Sequence, residues 1–294
     1  MREIRTKAVL AVKEGLRFFK AQILLLYDLV RFVQKGRYTI HIPLAKERKA
    51  YVLGNGPSLA EFLQSEVSVK DADLFVCNGF ALTGYFEQLR PANYFLHDPL
   101  FFDLQHEKVT SRGVPVLDIW EALFEKTKWP LTLYTSLNDP SGFLSVKERY
   151  PDNPFISFVN LNPVKFLGKN RYDYYAKGLG LIGGMTVVHL SLQIAILSRY
   201  KEVYLVGVDH DWCQNIKYDE QNHKVYLLNK HFFDEVKLYY GEGILSHIDL
   251  AVEFDSFARS LSGFKELAAF GRQLNVEIFR ASRSFLHFIP YKRD

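Results

Sequence analysis

The run Tyr51-Val52-Leu53-Gly54-Asn55-Gly56-Pro57-Ser58-Leu59 reads as an apolar strand broken by a glycine turn, with Pro57-Ser58 opening a helix. Such a turn presents backbone N–H groups and a helix N-terminus to an anion, normally a phosphate. Asn55 and Ser58 can add side-chain hydrogen bonds to phosphate or ribose. The same residues also have a structural use, Ser58 as an N-cap and Gly54 and Gly56 as turn formers. The run does not complete G-x-G-x-x-G and lacks the lysine of a P-loop, so it matches neither of those nucleotide motifs.

Two further apolar runs end in polar residues. One closes on Cys77-Asn78-Gly79, the other on Leu96-His97-Asp98-Pro99. Both dipeptides Asn78-Gly79 and Asp98-Pro99 are also ordinary turn formers. Three successive strands ending this way would place Asn55, Asn78 and Asp98, or His97, at the edge where open α/β sheets bind ligands. Further on, Gly207-Val208-Asp209-His210-Asp211 follows another apolar run. Its two carboxylates, one residue apart, could hold a divalent metal on a diphosphate, or Asp209 could anchor the loop after its strand.

The elements that must position these residues follow from periodicity. Strands are expected at Ala50–Leu53, Leu74–Cys77, Tyr94–Leu96, Val203–Val208 and Val276–Phe279, with weaker candidates at Val114–Ile119, Leu131–Tyr134 and Phe155–Val159. Helices are expected from about Ser58, over Met185–Ser198 and over 250–273, where His189 falls mid-helix as a packed residue. This alternation implies a mostly parallel sheet covered by helices. Residues 210–250 are polar and aromatic without a clear period, which makes them the candidate lid of a domain spanning 45–294.

Charge is distributed unevenly. The chain of 294 residues carries +4, but its first 37 hold nine Lys/Arg and three acids, a net of +6, so the remainder carries −2. That balance excludes a nucleic-acid-binding core with a basic face of its own. Residues 1–36 place Val9, Val12, Leu16, Phe19, Ile23, Leu26, Val30 and Val33 at helical spacing. Their longest uncharged run, Ala21 to Tyr27, is far short of the roughly 20 residues a membrane span needs. Charges through the stretch also argue against a signal peptide. A basic amphipathic helix at an anionic membrane surface is expected, with a helix docked on protein as the alternative. Two cysteines, Cys77 and Cys213, form neither a disulfide framework nor a spaced metal site, which fits a reducing, cytoplasmic setting.

Taken together, Gly54-Asn-Gly-Pro-Ser-Leu59, Cys77-Asn78-x-Phe80 and Tyr200-Lys-Glu-Val-Tyr-Leu-Val-Gly207-Val-Asp209 resemble the bacterial sialyltransferases of glycosyltransferase family 42. They also resemble a wider group with motility-associated sugar transferases and 6-hydroxymethylpterin pyrophosphokinase-like proteins. The likeness spans about 50–285. It implies a Rossmann-like core with helices on both faces and a CMP site built on Asn55 and Asn78, with Gly54, Gly56, Ser58, Asp98, Gly184, Gly207 and Asp209 around it. The position of a third nucleotide-contacting Asn departs, falling at His97-Asp98. Where the family has Asp, an aromatic and Tyr, this chain has Asp211 in place of the Tyr, and Tyr218 lies within one place of a second family Tyr. Tyrosines there hydrogen-bond the leaving phosphate without a metal.

The resemblance further implies a histidine base in the segment after the Gly207–Asp209 strand. His231, in Asn229-Lys-His-Phe, matches better than His247. Tyr218, Arg171, Lys177 and the Gly183-Gly184 turn are candidates for stabilising the leaving phosphate. The expected function is inverting, metal-independent transfer of an acidic sugar, sialic acid-like or Kdo-like, from a CMP donor to a glycan or glycolipid acceptor at the inner face of the membrane. No cofactor beyond the donor and no nucleic-acid partner are expected, and a homo-oligomer is compatible with it. An ATP-dependent pterin-type pyrophosphokinase and a non-catalytic nucleotide-sugar-binding subunit are the alternatives.

Overall fold

Parallel strands buried on both faces read as near-continuous apolar runs, and Tyr51-Val-Leu53, Leu74–Cys77 and Val203–Val206 have that character. The computed structural model describes residues 19–20, 22–24, 26–27, 30, 42, 44–45, 49–65, 69, 71–102, 104, 114–136, 140–150, 152–161, 165–168, 170–182, 186–230 and 235–292. The chain divides into two compact units, a smaller one of 1–41 and 162–183 and a larger one of 42–161 and 184–294.

In the larger unit, β1 (Lys49–Leu53), α1 (Ser58–Leu63), β2 (Ala72–Cys77), α2 (Tyr85–Leu89), β3 (Asn93–Leu96), α3 (Val116–Lys126), β4 (Leu131–Ser136), α4 (Pro140–Arg149) and β5 (Ile156–Leu161) come first. In the smaller unit α5 covers Arg171–Ala176. The larger unit then continues with α6 (Val187–Leu197), β6 (Glu202–Val206), β7 (Ile216–Asp219), β8 (Lys224–Lys230), β9 (Glu235–Tyr239), α7 (Leu250–Gln273) and β10 (Glu277–Arg280). The main sheet has the order β10-β6-β1-β2-β3-β4-β5, every pairing parallel. Strand order runs outward from β1 to β5 and then resumes on the other side of β1 with β6. The reversal between β1 and β6 is the place where open sheets of this class leave a crevice at their carboxyl ends.

Alternate strand residues sort onto two buried faces. Tyr51, Leu53, Leu74, Val76, Tyr94, Leu96, Tyr204 and Val206 share one core with Leu59 and Phe62 of α1, Phe86 of α2, Trp120 of α3 and Val146 of α4. On the other face α6, buried from Val188 to Leu197, crosses β1, β2, β3 and β6 and packs against α7. This is a Rossmann-like α/β fold with helices on both faces.

One expectation is corrected. Val114–Ile119 is not a strand. Apolar residues at 116, 117, 119, 120, 122 and 123 recur at helical spacing and are buried in α3, so the window ending at Ile119 was too short to show the period. Within 210–250, the candidate lid, β7, β8 and β9 form a three-stranded antiparallel sheet whose strands had no readable period. Both β7 and β9 bury no residue, which removes the inside–outside alternation by which a half-buried strand is read.

In the smaller unit the Tyr175 hydroxyl accepts from the Phe166 N–H and donates to the Phe166 carbonyl, 3.0 Å each. Arg171 lies over the Tyr172 ring at 4.7 Å. Described residues between 19 and 30 are helical, with Phe19, Ile23, Leu26, Tyr27 and Val30 exposed. Among the described residues no helix is long and apolar enough to cross a membrane.

Candidate functional site

At the β1/β6 reversal two glycine turns touch. Gly54 N–H donates to Val206 O and Gly56 N–H to Gly207 O, both at 2.8 Å. A Cβ on Gly54 would lie 2.4 Å from Gly207 O, and one on Gly56 would lie 2.0 Å from Asp209 Oδ2. Gly207 itself has φ +65, the left-handed region that a side chain makes costly. Close approach of two backbones therefore demands these three glycines.

That approach changes the reading of the first motif. Among the backbone N–H groups of the turn, that of Gly56 is already given to Gly207 O. Ser58 is buried, and its N–H and hydroxyl both donate to Asp209 Oδ2, at 3.3 and 3.0 Å. Ser282 Oγ lies 2.8 Å from Ser58 Oγ and accepts from Gly207 N–H at 3.0 Å. The negative charge at the start of α1 is thus supplied by the chain's own Asp209.

Beside this knot opens a cavity of about 440 Å³. Its lining takes Gly54, Asn55 and Gly56 from the β1 turn, Cys77 and Asn78 from the end of β2, and His97 and Asp98 from the end of β3. Asn55 Nδ2 reaches the Cys77 carbonyl at 3.4 Å, while Asn55 Oδ1 is buried with no partner. His97 Nδ1 is likewise buried and unpartnered, and burial lowers its pKa to about 4, against a smaller raising effect of Asp98. Buried polar atoms without partners are uncommon in native folds and point to a missing ligand or water. Asn78 stands at φ 52, held by a hydrogen bond from the Tyr94 hydroxyl to its carbonyl. Left-handed backbone in a non-glycine residue costs energy, and such strain tends to gather at functional sites. Asp98 is partly spoken for, because its Oδ1 accepts from Leu100 N–H at 3.0 Å in the turn that follows.

The Asp209-His210-Asp211 segment lines the same cavity. Asp211 pairs with Arg283 at 3.1 Å and Asp209 with the same guanidinium at 3.6 Å. Burial raises the Asp209 pKa first of all, the Ser58 hydrogen bonds and Arg283 opposing it. Among the described residues no group of three or more His, Cys, Asp or Glu side chains is gathered in the manner of a metal site. His210, at φ 53, is buried, and burial lowers its pKa to about 3, the neighbouring His189 adding to the effect. Its Nε2 is 2.7 Å from Ser260 Oγ. His189 accepts the Thr186 N–H at Nδ1 (3.3 Å), so its Nε2–H donates to Ser260 O at 3.0 Å. It is packed, as expected, but at the start of α6 rather than in its middle. Thr186, Val187 and Val188 bring the positive end of the eleven-residue α6 to the cavity.

The remaining lining comes from 212–229, with Trp212, Asn215, Leu227, Leu228 and Asn229. The structure thus brings together Gly54, Asn55, Gly56, Asn78, Asp98, Gly207 and Asp209, with Ser58 behind Asp209. It does not bring Tyr218 or His247 to the cavity. Tyr218 is exposed on β7 with its hydroxyl 3.2 Å from His223 Nδ1, and His247 lies on the surface before α7. His231 and Gly184 lie outside the described residues. Arg171 and Lys177 fall in the smaller unit. Sequence reasoning missed His210, Trp212, Asn215 and Arg283 as parts of one neighbourhood. The run His210-Asp211-Trp212 after a strand was the available signal, whereas Arg283 carried none.

No family model matches the sequence, and no curated protein matches it. Among solved structures the chain is similar to the monofunctional α-2,3-sialyltransferase Cst-I from Campylobacter jejuni, at 16% identity and a TM-score of 0.44, over 85% of this chain and 82% of that one. It is similar also to the sialyltransferase CstII from Campylobacter jejuni, solved in complex with the substrate analogue cytidine-5'-monophosphate, at 17% identity and a TM-score of 0.41, over 85% of this chain and 86% of that one. CstII in complex with CMP-3FNeuAc gives 17% identity and 0.41 over 84% of this chain and 85% of that one.

Proposed function

We propose that the chain is a glycosyltransferase that moves an acidic sugar from a CMP donor to a glycan or glycolipid acceptor, with inversion and without a metal. The observation that carries this reading is the pair of buried, unpartnered atoms Asn55 Oδ1 and His97 Nδ1, beside Asn78, in a cavity at the strand-order reversal. A cytosine or ribose offers donors that the Asn55 carbonyl oxygen lacks, and a neutral imidazole can accept from a hydroxyl. The three sequence motifs that resemble family 42 converge on this same cavity, which adds to the reading.

The amino end of α6 supports a place for the single phosphate, because the α1 end is occupied by Asp209. For deprotonating the acceptor hydroxyl, His231 remains the proposed base: Asn229, two residues before it, lines the cavity. Tyr218 and His247 carry less support for a role in chemistry, given where they lie. The pairing of Asp209 and Asp211 with Arg283 favours a metal-free reaction over pyrophosphoryl transfer.

A thermal-shift panel of CMP, UDP, GDP and ATP tests the reading, since a ligand of the native state raises its stability. CMP should give the largest shift, in EDTA as in Mg²⁺. A shift confined to ATP with Mg²⁺ would reject the CMP-sugar reading in favour of the pyrophosphokinase. CMP binding with no transfer to any glycan acceptor would leave a non-catalytic subunit.

A further inference from the structure

The three tryptophans of the chain are placed very differently. Trp120 is fully buried and donates its indole N–H to Phe101 O at 2.6 Å. Trp129 donates to Pro91 O at 2.9 Å and packs on Phe86 with centroids 4.9 Å apart. Trp212 is partly exposed, lines the cavity, and among the described residues its indole N–H has no hydrogen-bond partner. Yet its ring is braced: it lies 5.0 Å from the His210 ring and 6.1 Å from Phe257. His210 in turn meets Phe264 edge-on at 4.8 Å, and Phe264 packs against His189 at 4.1 Å. A ladder of rings thus runs from the buried interior to one aromatic face in the cavity. Close to it in the lining is Asn215, whose carboxamide also makes no hydrogen bond among the described residues.

A pyranose has an apolar face of C–H groups and an equator of hydroxyls. A rigid indole suits the first, and an unengaged indole N–H and carboxamide suit the second. Resting on the reading of the cavity as a nucleotide-sugar site, we infer that Trp212 is the stacking platform for a pyranose ring, with Asn215 on its hydroxyls. Trp212 then determines how strongly the protein prefers a glycosylated ligand to a bare nucleotide.

The full-length chain is titrated with CMP, CMP-N-acetylneuraminic acid, and methyl β-galactoside in the presence of CMP, by calorimetry and by tryptophan fluorescence. Trp120 is buried and Trp129 is not part of the cavity lining, so a glycosyl ligand there should change the emission, through Trp212, far more than CMP does. Trp212→Ala should lower the affinity for the ring-bearing ligand about tenfold and leave CMP affinity unchanged, while Trp212→Phe retains most of it. Loss with the CMP-sugar places the donor ring on the indole, and loss with the galactoside places the acceptor ring there. Melting curves of both variants check that the fold is kept. Equal affinity of wild type and Trp212→Ala for every glycosyl probe overturns the inference, as does the absence of any glycosyl binding. If wild type binds no CMP, the functional reading fails on its own, and UDP-N-acetylglucosamine with the same variants then decides the platform.

Discussion

Asn55 and Asn78 differ in how they can be tested. Asn55 has ordinary backbone geometry, so Asn55→Ala removes its carboxamide alone. Asn78 sits at φ 52, where alanine adds strain, so Asn78→Gly is the cleaner deletion. Each should weaken CMP binding by roughly 1.5–3 kcal/mol with little change in the melting temperature, as a lost hydrogen bond to a ligand does. Calorimetric affinity unchanged in both variants would remove the nucleotide from this cavity. His97 and His210 set a pH window. Burial lowers their pKa values to about 4 and about 3. The unfolded chain, with imidazoles near 6.5, binds protons that the native state refuses, so stability is full above that value and falls as pH drops toward 4. Each imidazole contributes a slope of up to about 1.4 kcal/mol per pH unit within its window. Asp209, whose pKa is raised by burial, acts in the opposite sense from its ordinary range upward. Urea unfolding between pH 7 and 4.5 should show the acid loss, and His97→Gln should flatten it. A slope unchanged in that variant would mean that His97 titrates freely in the fold.

At the scale of elements, the site depends on the contact of the β1–α1 turn with the end of β6. Asp209 ties the two together through Ser58, and Arg283 reaches it from the segment after β10. Gly56→Ala should therefore act on two elements at once, because its Cβ would fall 2.0 Å from Asp209 Oδ2 and 2.7 Å from Gly207 O. Overpacking against backbone costs about 1–3 kcal/mol, and displacing Asp209 would add to that. The expected result is a lower urea midpoint together with weaker CMP binding. Gly84→Ala, where nothing lies within 4 Å of the added atom, serves as the control. Wild-type stability in Gly56→Ala would show that the two turns can part without loss.

For the whole molecule, the separate +6 of the first 37 residues against −2 for the rest remains the basis for expecting a membrane-surface segment. The exposed Phe19, Ile23, Leu26 and Val30 follow one another at steps of four, three and four residues along a helix, which puts them on one face. Removing residues 1–36 should abolish cosedimentation with anionic vesicles, and 0.5 M salt should weaken it in the intact chain, since headgroup attraction is screened. The seven-stranded sheet lies wholly in 42–161 and 184–294, so the shortened chain should keep its far-ultraviolet circular dichroism per residue for that part. Vesicle binding that survives the deletion would reject the membrane role, and insolubility of the shortened chain would favour a helix docked on protein.

The sequence by itself determined the parallel core. Tyr51–Leu53, Leu74–Cys77, Tyr94–Leu96 and Val203–Val206 are apolar runs too short for helices and bounded by turn residues, and buried parallel strands have no other appearance. It also determined that Asn55, Asn78 and Asp98 end strands, because a polar residue after such a run has few other places to be. It did not reveal β7–β9, whose exposed residues carry no period, nor α3, whose period begins where the strand-like window stops. Only the tertiary structure decided that Asp209, 151 residues from Ser58, occupies the start of α1, and that Arg283 holds Asp209 and Asp211. The same holds for Trp212, which lines the cavity beside His210 and Phe257, with Phe264 and His189 next in the ladder of rings. Strand identity follows from local burial along the chain, whereas these pairings follow from where the sheet order reverses, and local spacing cannot encode that distance.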